Sequence, residues 1–150
     1  MKPYIVPILE KLAPIVNEVK LDDPMLKENA AICIGRLCLS SPETVVPFMP
    51  QFVNQWLPVL RNIESDVEKE SAFRGLCAAI NAAPLVFLPA FYELCLGFVS
   101  WSKPKEDLRD MFHQILHAYK QKLGPENWGP SYSKFPEDLR KVLKERYNLD

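Results

Sequence analysis

Two histidines, four cysteines, a cluster of acids and one helical asparagine are the residues whose types and spacing could do chemistry in this chain. His113 and His117 stand four apart, so on a helix they share a face, as the paired histidines of a zinc helix do. A zinc site needs three or four ligands. Gln114-Ile115-Leu116 between them offers no glutamate, and no neighbouring cysteine or acid supplies an obvious third ligand. The pair reads as helix-surface histidines, and no metal or other cofactor is expected. Cys33, Cys38, Cys77 and Cys95 make no C-x-x-C pair, and each sits among apolar neighbours at helical spacing. That suits buried, reduced thiols in a cytosolic or nuclear compartment. There is no G-x-S-x-G and no phosphate-cradling glycine loop, and the five glycines are scattered. Catalysis is not expected.

Binding chemistry is better represented. Glu64, Asp66, Glu68 and Glu70 form an acidic stretch interrupted by Lys69. Acids in a first helical turn stabilise the positive end of the helix dipole. On a binding rim they would also steer a basic peptide. Asn29 sits in the alanine-rich string ENAAICIGRL, where it costs helix propensity. Its amide both donates and accepts, which suits gripping an extended peptide backbone or bonding a neighbouring hairpin. Of the three tryptophans, Trp56 has core spacing with Phe52 and Leu60, Trp101 lies at a helix end, and Trp128 falls in a PENWGP turn.

The frame that positions these residues is written in the prolines. The chain has 150 residues, 48% hydrophobic, with 14 prolines. Average usage of about 5% would give roughly half that number. Proline excess in a disordered linker comes with low hydrophobicity, so here proline punctuates structure. Pro42-Glu43-Thr44-Val45-Val46-Pro47, Pro84 to Pro89 (PLVFLP) and Pro125 to Pro130 (PENWGP) repeat a P-x-x-x-x-P spacing, and Lys2 to Pro7 (KPYIVP) adds an earlier register. A period near 40 belongs to helical-hairpin solenoids of the HEAT and armadillo type.

Apolar residues between the prolines follow the i, i+3, i+4, i+7 pattern of amphipathic helices. Tyr4, Ile5, Ile8, Leu9, Leu12, Ile15, Val16 and Val19 form one face; Leu26, Ala30, Cys33, Ile34 and Leu37 form the next. Asp22-Asp23-Pro24, Ser41-Pro42 and Ser65-Asp66 are helix starts. Gly124 stops the helix that begins near Pro104. No segment alternates with period two. The fold expected is an all-α solenoid: hairpins over about 1–41, 42–83 and 84–124, and a C-terminal cap over 125–150. Pro7, Pro14, Pro47, Pro58 and Pro89 fall inside first helices and are expected to kink an outer layer. The second helices lack interior proline and form an inner, concave layer.

Leu139, Val142, Leu143 and Tyr147 make the buried stripe of the cap, with Arg140, Lys141, Lys144 and Arg146 toward water. The first hairpin has no comparable cap, so it is expected to stack on a preceding repeat, the chain being a C-terminal piece. Facing the concave channel would be Asn29, Ile32 and Arg36, then Glu70 on the acidic rim with Ser71, Arg74 and Ala78, then Arg109, Asp110 and His113. A net charge of -1 and a pI of 6.1 speak against a nucleic-acid partner. The longest apolar run, Leu94 to Val99, is far short of the ~20 residues of a membrane span.

The strings ENAAICIGRL, LRNIESDVEKESAFRGLC, WSKPKEDLRDMFHQILHAYKQKLG and PENW, followed by a short amphipathic helix, resemble the C-terminal HEAT repeats of the transportin family. These are karyopherin-beta import receptors for cargoes with basic proline-tyrosine localisation signals. The resemblance implies a receptor shuttling between cytoplasm and nucleus, with extended cargo peptides on the concave face and Asn29 facing them. It also implies that the main cargo-gripping tryptophans, the acidic loop and the arch for Ran lie in parts of the parent outside this chain, as do contacts to nucleoporins. The competing reading from the same repeats is a scaffold subunit that organises folded partners. The final five residues, Arg146 to Asp150, carry no expected role.

Overall fold

The computed structural model describes residues 2–18, 20 and 22–150 and is all-α among them. Val19, expected at the end of the first apolar face, lies outside the described residues. Helix α1 (Lys2–Asn17) pairs with α2 (Pro24–Ser40). A broken second unit follows: α3 (Pro42–Val45), a 3-10 stretch Val46–Gln51 and α4 (Val53–Arg61), pairing with α5 (Asp66–Ala82). The third repeats that plan with α6 (Pro84–Phe87), a 3-10 turn Leu88–Ala90 and α7 (Phe91–Ser100), then α8 (Glu106–Tyr132); α9 (Glu137–Tyr147) closes the chain. The result is a solenoid of HEAT-type hairpins in two layers. One runs α2, α5, α8; the other runs α4, α7, α9.

Start signals act as their chemistry dictates. The Asp23 carboxylate accepts the Leu26 N–H at 3.0 Å, and Pro24 follows at the first helical position. Ser65 caps α5, accepting from the Glu68 N–H. Ser41 occupies the start of α3, but its hydroxyl turns to Glu43 and Thr44 instead of a backbone N–H.

Proline does more than kink the first helices. Pro7 and Pro14 sit within a continuous α1, and Pro58 within α4. Pro47, Pro50 and Pro89 instead lie in 3-10 segments that divide their helices in two. A proline removes one N–H and clashes with the carbonyl four residues back, and tighter local winding accommodates both.

PENWGP is not a turn. Gly124 adopts φ 74°, ψ 164° and breaks the axis, but helix resumes at once over 125–132. Trp128 is therefore helical and buried. This piece and α9 behave as a further split first helix, and α9 packs on α7 as α7 packs on α4. Leu139, Leu143 and Tyr147 are buried in it as the periodicity requires.

The core is aromatic in its second half. Phe98 and Phe112 stack with centroids 4.1 Å apart, and Phe73 meets Phe98, Trp101 and Phe112 at 5.7–6.3 Å. Trp56 is fully buried and donates its Nε1–H to the Ala31 carbonyl at 3.0 Å, fixing α4 against α2. Lys69 is the buried charge of this core. Its ammonium donates to the Arg61 carbonyl at 3.0 Å and the Ser100 hydroxyl at 3.1 Å, so it ties together the ends of α4 and α7.

Several expected core positions face water instead. Tyr4 is 67% exposed and Ile8 also opens outward, while Ile5, Leu9 and Val16 are buried. On α2, Leu26 and Cys33 are exposed, and the buried arc is Ala30, Ala31, Ile32, Ile34, Gly35 and Cys38. That helix is clasped by α1 on one side and α5 on the other, so its apolar face is wider than, and rotated from, a one-sided stripe. Among the described residues no single helix is long and apolar enough to cross a membrane.

Candidate binding face of the α2–α5–α8 layer

Helices α2, α5 and the part of α8 before Gly124 lie side by side, and their charged residues interlock across the seams. Arg36 of α2 reaches Glu68 of α5 at 2.7 Å and Ser71 Oγ at 3.5 Å. Arg74 of α5 pairs with Glu70 one turn back at 2.9 Å and with Asp107 of α8 at 2.9 Å. Lys105, just before α8, reaches Glu70 at 3.1 Å. Hydrogen bonds from Arg74 and then Lys105 hold the Glu70 carboxyl below the usual carboxylate range. Arg74 does the same for Asp107, and Asp107 and Glu70 raise the guanidinium in return.

This arrangement gathers four of the expected channel residues, Arg36, Glu70, Ser71 and Arg74, into one band. Its acids are not free to greet a basic ligand: Glu68 and Glu70 already face cations of the same chain. Asn29 is exposed on α2, seven residues before Arg36 and on the same side of the helix. Ile32 does not belong to this face. It is 4% exposed and packs in the core, and the exposed stripe passes through Cys33. The reason is geometric: 29, 33 and 36 follow the helical repeat of 3.6 residues, whereas residue 32 lies about 60° to its side. Arg109, Asp110 and His113 are exposed on α8, but Asp107 makes the bond across the seam. Glu68 belongs to the acidic stretch already singled out, whereas Lys105 and Asp107 are the members of the band that single-helix periodicity does not select, because the offset between neighbouring helices decides which charges meet.

His113 and His117 stack with centroids 4.2 Å apart, and His117 Nε2 lies 2.7 Å from the Tyr147 carbonyl oxygen. Among the described residues no group of three or more His, Cys, Asp or Glu side chains converges to hold a metal ion.

The C-terminal end is locked by the tail that carried no expected role. Trp128 donates its indole N–H to the Asp150 carbonyl at 2.8 Å, and the Tyr132 hydroxyl donates to the Leu149 carbonyl at 3.2 Å. Lys120 reaches the Asp150 carboxylate at 3.3 Å, and Arg146 donates to the Val99 carbonyl at 2.9 Å. Arg146 therefore staples α9 to α7 while its side chain stays exposed.

Human Transportin-1 is 42% identical to this chain over 149 residues, 99% of the chain. Transportin of Dictyostelium discoideum is 37% identical over 150 residues, and Importin subunit beta-2 of Schizosaccharomyces pombe 34% over 145. The chain is a transportin relative. It spans 16%, 16% and 15% of the length of those three proteins respectively. No family model matches it. The kinship with transportins runs through both helix layers and the terminal lock, since the aligned stretch covers nearly every residue described above.

Proposed function

We propose that this chain is part of a karyopherin nuclear import receptor and carries one edge of its cargo surface. The receptor would take extended, basic proline-tyrosine localisation signals on the concave face formed by α2, α5 and α8. Asn29 is the residue placed to hold the peptide backbone, with Arg36, Glu70, Ser71 and Arg74 as the polar border beside it. Contacts to Ran and to nucleoporins fall to the rest of a parent of the relatives' length, and the parent shuttles between cytoplasm and nucleus. Catalysis has no part in the reading. The observation that carries it is the identity with transportins over almost the whole chain, joined to an exposed Asn29 beside the charged band.

Titration of a basic proline-tyrosine peptide against this chain and against the parent, at two salt concentrations, tests it. The parent is expected to bind with an affinity that falls as salt rises, and Asn29→Ala is expected to weaken it. A parent that binds no such peptide overturns the import reading.

One observation favours the scaffold reading instead. Glu68 and Glu70 are satisfied by Arg36, Arg74 and Lys105, as expected of a rigid face for folded partners. Under that reading, folded partners bind the parent, and salt leaves the basic peptide unbound at every concentration.

A further inference from the structure

The two seams of the α2–α5–α8 layer are built differently. Between α2 and α5 the backbones touch: a Cβ on Gly75 would overlap the Gly35 carbonyl, and one on Gly35 would lie 2.8 Å from the Ala72 Cα. Between α5 and α8 no such glycine pair occurs, and α8 stands off. The gap is a trough of about 600 Å³ at the C-terminal end of α5, lined there by Ile80 and Asn81. That volume is in the range of ligand sites, roughly 300–1,000 Å³.

Ile80, Met111 and Ile115 give the trough apolar surface, and Met111 is 36% exposed there. The Tyr119 hydroxyl donates to the Pro84 carbonyl at 2.7 Å, which pins α8 to the start of α6 and preforms the base. Asn81, Gln114 and Gln121 line it with carboxamides that have no hydrogen-bond partner among the described residues. Each amide offers both a donor and an acceptor, the complement of a peptide group. Gln114 and Gln121 are seven residues apart on one helix, about 10.5 Å at ~1.5 Å per residue. Three residues of extended chain cover about the same distance. Lys122 is the one formal charge that lines the trough, and it has no acidic partner among the described residues.

We propose that the trough between α5 and α8 docks an extended peptide segment of a partner protein, with apolar side chains for the Met111 floor and an acidic residue for Lys122. Its charge preference is opposite to that of the basic signals assigned to the Asn29 face. The two sites therefore stand or fall separately.

The probe is a fluorescein-labelled peptide, Ser-Leu-Ser-Phe-Ser-Leu-Asp-Asp, compared with its Lys-Lys-ended counterpart by anisotropy on this chain. The acidic peptide is expected to saturate and to bind at least ~10-fold tighter than the basic one, a difference of about 1.4 kcal/mol. Met111→Glu is expected to abolish binding without moving the melting temperature, and Lys122→Glu to reverse the preference. Absence of saturation overturns the proposal, as does equal affinity for both peptides or indifference to Met111→Glu. Self-association of the chain that Met111→Glu abolishes, with no peptide bound, assigns the trough to a second copy and overturns it as well.

Discussion

Gly75 faces the carbonyl of Gly35 across the α2–α5 seam with no room for a side chain between them. This is the closest approach of any two elements around the described glycines, and it sets how tightly the first two hairpins stack. Gly75→Ala forces backbone apart from backbone, so a loss of about 3 kcal/mol or more is expected in urea melts, at the upper end of overpacking costs. Gly129→Ala is the control. Nothing lies within 4 Å of its Cβ position, and it sits within a helix, so a gain of roughly 0.5–1 kcal/mol is expected.

Lys69 joins the ends of α4 and α7 from inside the core, and Lys69→Met leaves the Arg61 carbonyl without its donor. A loss of about 1–3 kcal/mol is expected at neutral pH. Burial holds the ammonium below the ordinary lysine value, against a smaller opposite pull from Asp66. The unfolded chain thus binds more protons in the window up to about 10.4. Stability from this site rises with pH through that window. The gap between wild type and Lys69→Met should widen as pH climbs, and a gap that narrows would contradict the burial effect.

The hairpin period and the helix starts were legible because each depends on local chemistry. Asp23 followed by Pro24 makes a helix start whatever lies beyond, and so does Ser65 ahead of three acids. What could not be read depends on neighbours. Cys33 and Ile32 exchanged places between surface and core because α2 is covered from two sides, which one amphipathic stripe cannot express. PENWGP looked like a turn because Gly124 and two prolines crowd it, yet a glycine at φ 74° can break an axis and let helix resume. The ion pairs of the Asn29 face were hidden for a third reason. Arg74 meets Asp107, not Arg109 or Asp110, through an inter-helix offset that no single-chain periodicity encodes.

The cysteines supply a direct check of that rotation of α2. Cys33 is exposed, while Cys38, Cys77 and Cys95 are buried. Ellman's reagent is expected to find one fast thiol in the native chain and four after guanidinium. Burial also pushes the Cys38 and Cys77 thiols up to about 12. Their stabilising contribution is complete below the ordinary thiol value of about 8.5 and is lost as pH rises toward 12. Cys38→Ala should flatten the alkaline limb of the stability curve.

Arg74 works in the opposite pH range. It holds Glu70 and Asp107 below the usual carboxylate range, so both contribute stability above about pH 4 and lose it as pH falls through their native values. Arg74→Met is expected to lower stability above about pH 4 and to flatten the acid limb, the two proteins converging as pH falls. High salt should shrink the difference between the two proteins, because the pairs are partly open to solvent.

The terminal lock ranks three contacts by mechanism. Leu149, within the tail, is fully buried, so Leu149→Ala is expected to cost about 2–4 kcal/mol through lost burial and a residual cavity. Trp128→Phe keeps most of the packing against Phe91 and Tyr132 but removes the bond to the Asp150 carbonyl. A loss of about 1 kcal/mol is expected there. Lys120→Ala breaks an exposed ion pair and should leave the melt almost unchanged. Thermal melts of the three variants check the order. If Lys120→Ala proved the most damaging, the tail would be held by charge and not by burial, and Arg146 on Val99 would become the next contact to remove.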